Sequence, residues 1–133
     1  MTLYREFPDV EAIVGTALRN AAIPNVVSVS SSVPKDAVYP LITYQRVGGI
    51  PAVREYMDAA NIQIGVWGEN KSQARDIAAR ARIVLLELTG TAVTDPVSAW
   101  VSSVDDSLSL TWSPDPETGK DRYIFSMMVH ARS

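Results

Sequence analysis

With 133 residues, no cysteine and one histidine, the chain has neither a disulfide framework nor a thiolate metal site. Its formal charge of −3 comes from interleaved acids and bases, which argues against a phosphate-gripping surface, because such surfaces gather Lys and Arg on one face. Apolar residues make up 47% of it, enough for a real core, yet no apolar segment approaches the roughly 20 residues that span a bilayer.

The first residues lack the basic-then-apolar profile of a signal peptide, so the expectation is a single domain over residues 1–133, made and kept in a cytoplasm. Pro8 and Asp9 suit the first turn of a helix. Val10, Ile13, Val14, Ala17, Leu18 and Ala21 form its apolar stripe, and Pro24 ends it. Val26 to Ser30 reads as a short strand and Ser31 to Lys35 as a turn. Leu41 to Val47 is a second strand, stopped by Gly48-Gly49. Ile50 to Ala59, with Pro51 inside it, reads as a long projecting loop.

From Ala60 the alternation of Ile62, Ile64 and Val66 with Gln63, Gly65 and Trp67 predicts a half-buried strand. Asn70 is placed to cap the following helix, with Gln73 completing a capping box. Ala74, Ile77, Ala78, Ala81, Val84, Leu85 and Leu88 recur at three- and four-residue steps, the longest apolar stripe in the chain. Asp76 and Arg80 are spaced to pair, and Gly90 suits a left-handed cap. Strands are then expected over Val97 to Val104 and Leu108 to Trp112, parted by a turn at Asp105-Asp106. Leu108, Leu110 and Trp112 should face inward. A polar loop from Ser113 to Lys120 leads into a closing strand from Tyr123 to His130. The order is α-β-β-β-α-β-β-β: an α+β class with a mostly antiparallel sheet and two main helices on one face.

Chemistry is hard to find in this pattern. His130 is the only histidine, near the end of a strand, and reads as a strand residue rather than a base. Asp105 and Asp106 are adjacent, so in a strand they would point to opposite faces. Gly48-Gly49 lacks the flanking glycines and the lysine of a phosphate loop. Among the tryptophans, Trp112 reads as core and Trp67 as a cap on the sheet edge. Tyr44 with Arg46, and Tyr56 with Arg54, are the contact candidates, since Tyr and Arg are enriched in protein interfaces. Asp115, Glu117 and Lys120 join them, because their loop is longer than a hairpin needs and has nothing to bury.

Three runs carry a resemblance. They are Tyr39-Pro-Leu-Ile-Thr-Tyr-Gln-Arg-Val-Gly-Gly49, Asp58-Ala-Ala-Asn-Ile-Gln-Ile-Gly-Val-Trp-Gly68 and Asn70-Lys-Ser-Gln-Ala-Arg-Asp-Ile-Ala79. With the helix that opens at Phe7-Pro-Asp9, they resemble the tail terminator (tail completion) proteins of long-tailed bacteriophages. The likeness covers the first ninety residues or so well, and the rest only by strand order and length. It implies a structural virion subunit, not an enzyme, that closes into a homo-hexameric ring on the tail tube protein. Such a ring ends tail elongation and offers a docking surface to the head–tail connector protein. The resemblance also implies no cofactor, no metal and no membrane, and DNA that passes through without specific binding. The implied location is the tail–head junction of the virion, after assembly in the host cytoplasm. Two alternatives remain at this point: another neck or head–tail connector component, and a small hydrolase using a serine with His130.

Overall fold

A computed structural model of the chain describes residues 6–53 and 57–133. Its elements are α1 (Val10–Asn20), β1 (Ser28–Ser30), β2 (Leu41–Val53), β3 (Met57–Trp67), α2 (Lys71–Leu86), β4 (Thr91–Val93), β5 (Ala99–Trp112) and β6 (Arg122–Arg132). They build one six-stranded sheet in the order β1-β2-β3-β6-β5-β4, antiparallel except where β1 meets β2. Both helices pack on one face, giving the expected α+β class and element order.

The helices start where the caps place them. The Asp9 carboxylate accepts the Ala12 N–H at 3.1 Å, which makes Asp9 the N-cap itself rather than a first-turn residue. Asn70 accepts the Gln73 N–H at 2.8 Å, and the Gln73 side chain reaches back to the Glu69 N–H at 2.8 Å. Ala74, Ile77, Ala78, Ala81 and Leu85 are buried against the sheet. The small alanines let α2 lie close to Phe125, Met127 and Val129 of β6, which belong to the same core. Asp76 pairs with Arg75 at 3.6 Å, not with Arg80 as the spacing predicts. Gly90 does adopt a positive φ of 71°, but beyond the end of α2, where its N–H donates to the Val101 carbonyl at 2.8 Å.

Three strand boundaries differ from the sequence reading, each for a physical reason. Gly48-Gly49 do not stop β2. The ladder shifts register between Arg46 and Gly48 and then continues, so β2 and β3 form a paired arm up to Val53 and Met57. Gly49 sits at φ 127° with the Ala59 carbonyl where a Cβ would lie, so glycine serves the irregularity. Asp105-Asp106 do not turn the chain either: they lie inside one continuous β5, whose own register shifts absorb the broken alternation. The third difference is β4, a short edge strand that the sequence reading missed.

Those shifts also redistribute faces. Leu108 pairs with Ser126 on the helix-free face and is 40% exposed, whereas Leu110 packs against the core. Trp112 is 46% exposed, not core; its indole N–H donates to Asp121 at 3.2 Å, and the Lys71 ammonium lies 4.2 Å from a ring centroid. Trp67 is buried in the central strand β3, not at a sheet edge.

Candidate functional site

The residues singled out by sequence fall in four places. Tyr44 is a core residue. Its ring packs so tightly under α1 that a Cβ on Gly15 would come within 2.2 Å of its Cζ. The Arg19 guanidinium donates to the Tyr44 hydroxyl at 3.1 Å and stands 5.8 Å from the ring centroid. Arg54 and Tyr56 lie outside the described residues.

Arg46 closes the core at the base of the arm. Its guanidinium grips Asp58 with both terminal nitrogens, Nη2 at 2.9 Å, while its Nε donates to the Gly48 carbonyl at 3.1 Å. Hydrogen bonding to Asp58 raises the Arg46 pKa, against partial desolvation. Asp58 is 1% exposed, so its charge depends on this partner. The Arg46 backbone N–H donates to Glu11 of α1 at 2.8 Å, which caps a donor on the outer edge of β2. Sequence reading missed Asp58. Only the register of the β2–β3 ladder brings it beside Arg46.

The loop after β5 is tied down rather than free. Asp115 accepts the Trp67 indole N–H at 2.9 Å and the Glu117 N–H at 2.9 Å. These bonds, the Trp67 one foremost, hold its carboxyl below the usual range. The Asp115 N–H donates to Lys120, the Gly119 N–H to Asp115 and the Gly68 N–H to Asp121, so the loop is stitched internally and to the start of α2. Glu117 and Lys120 are exposed, and the Lys120 ammonium lies 4.7 Å from the Tyr39 ring centroid.

His130 and Ser103 are cross-strand partners on the helix-free face, with Ser103 Oγ 3.1 Å from His130 Nδ1. No carboxylate bonds to that imidazole among the described residues, so the third member of a nucleophile triad is not in place there. Asp106 is instead held by Arg82 of α2 at 2.6 and 2.8 Å, which lowers its pKa. Among the described residues no group of three or more His, Cys, Asp or Glu could hold a metal ion.

What the surface does offer is sheet edge. β1 covers β2 only from Leu41 to Thr43, and β4 covers β5 only from Ala99 to Val101. Beyond them no strand among the described residues pairs with the outer edge of either, and the two strands carry exposed Val47, Ile50, Leu108 and Trp112. The described residues thus make a small α+β subunit with two long sheet edges open, surfaces on which another strand can pair.

A family model described as phage tail termination protein matches residues 6–106. The chain belongs to this family and is a structural protein of the phage tail. Among solved structures, a chain of the virion of a native gene transfer agent particle shares its fold, with TM-score 0.58 and 12% identity over 92% of this chain and 86% of that one. The gp17 protein of bacteriophage SPP1 matches at 16% identity over 96% of both chains, with TM-score 0.43. No curated protein matches the sequence.

Proposed function

We propose that residues 1–133 act as one domain that closes into a ring of six on the end of the phage tail tube. The ring stops further tube subunits from adding and presents the surface on which the head–tail connector docks. The observation that carries this reading is the match of residues 6–106 to the tail termination family. Geometry supports assembly: the β2–β3 arm presents Ile50 at 68% exposure, and both outer strands leave backbone groups open along most of their length. In this reading Arg54 and Tyr56, which lie outside the described residues, and Glu117 and Lys120 of the loop make contacts between subunits or with the tube and connector. Tyr44, Arg46 and Asp115 contribute by holding those segments in place. The subunit assembles in the host cytoplasm and ends at the tail–head junction. With a formal charge of −3, it lets DNA pass without gripping it.

The test is electron microscopy of purified protein mixed with tail tubes that lack it. Six-fold rings at one tube end, together with arrested elongation, are expected. Protein that decorates head connectors and never a tube end would make it a neck component instead.

A further inference from the structure

From the two open edges we infer that neighbouring subunits join head to tail, the arm of β2 pairing antiparallel with β5 of the next copy. The inference rests on the ring reading above. Three antiparallel steps separate β2 from β5 within a subunit, so two copies in the same orientation meet with these strands antiparallel. β5 carries Asp105 and Asp106 whereas β2 carries no acid, so β2 against β5 brings no like charges together, while β5 against its own copy centred on these residues would.

The short strands then select the register. Without an axial shift, β1 of one copy would collide with the end of its neighbour's β5, and β4 of that neighbour with the tip of the arm. Following the ladders across one subunit, Ile50 lies level with Ser103, through Ala59 and His130, while Leu108 lies level with Gln45, through Ser126 and Gln63. Sliding one copy by about five residues, roughly 16 Å along the strands, clears both obstructions. The same slide sets Ile50 opposite Leu108. Both side chains occupy the helix-free face, and both are among the exposed large apolar residues.

Two backbone caps bracket that seam. Glu11 takes the Arg46 N–H at 2.8 Å and Thr89 takes the Val104 N–H at 3.1 Å, which leaves 47–53 and 105–112 as the stretches that face each other. Pro51, which has no N–H, breaks the ladder once and guards the arm against indiscriminate pairing. The stagger also suits closure. Four long strands per subunit at ~4.8 Å give a width of about 19 Å, and a 16 Å shift over that width tilts the strands by roughly 40°, inside the range that closed barrels adopt.

The absence of cysteine makes the test clean. In Ile50→Cys/Leu108→Cys the paired positions fall within disulfide reach, and a short bis-maleimide spans a register error of one residue. Both positions are exposed, so folding should be unaffected. Oxidation of the double variant should give a ladder of covalent multimers, and mixing the two single variants should give one-to-one dimers. Each single variant alone should give none. Single variants that cross-link to themselves overturn the seam. Rings of the parent mass in native mass spectrometry without any cross-link overturn the seam and leave tube capping standing. Cross-linked multimers that never cap a tube overturn the capping reading and keep the seam. Neither cross-links nor rings would overturn both.

Discussion

Replacing Arg46 with alanine should destabilise the subunit itself. Asp58 is 1% exposed and takes both terminal nitrogens of Arg46, so truncation leaves a buried carboxylate without its cation. Breaking a fully buried pair in this way costs about 3–5 kcal/mol. Here the Arg46 side chain is 38% exposed, so water reaches the pair. The expectation falls accordingly to about 2–3 kcal/mol. For a chain of this length that is a melting temperature lower by on the order of 10 °C. Asp58→Ala should cost less, about 1–2 kcal/mol, because the freed guanidinium can turn into water. The double variant should lie closer to the parent than the sum of the singles, a coupling of at least ~1 kcal/mol. Urea denaturation of the four proteins measures all of this. An Arg46→Ala protein that melts within a degree or so of the parent would refute the reasoning and return Arg46 to the list of pure interface residues.

The remaining predictions concern the core, the loop and acid. Ala81→Leu should overpack the contact of α2 with the sheet and cost on the order of 1–3 kcal/mol; thermal unfolding equal to the parent would show that the stripe is not buried. Replacing the Ser113–Asp121 loop by Asn-Gly should lower the melting temperature. It removes the Asp115 partner of the buried Trp67 and the Asp121 carbonyl that takes the Gly68 N–H; a melting temperature equal to the parent's counts against this. The carboxyl pKa values of Asp106 and Asp115 are lowered in the folded state, so their contribution is complete above the ordinary carboxylate value of about 3.9 and is lost as pH falls through the lower folded values. Melting temperature should therefore be insensitive to these two groups from pH 7 to about 5 and fall below about 4, with Asp106→Asn/Asp115→Asn flattening that fall.

The helices and the central strand were legible because their signals are local. Asn70 with Gln73 caps α2 through backbone groups a few residues away, and the seven-position stripe repeats with the helical period whatever covers it. The alternation of Ile62, Ile64 and Val66 likewise needs only its own pleat. The tail terminator resemblance also lay in the sequence, in three runs that the family match spans. What the tertiary structure decided is everything that depends on register. One irregular step at Arg46–Gly48 carries β2 past two glycines into the arm, and others turn Leu108 away from Leu110 and keep Asp105-Asp106 inside a strand. A single slipped residue exchanges the faces of a strand, so inward and outward positions could not be assigned across a bulge that the sequence does not mark. For the same reason the sequence does not show that Arg46 lies beside Asp58, Tyr44 beneath Gly15 and Asp115 against Trp67. Those partners are remote in sequence, and only pairing across the sheet and packing upon it bring them together.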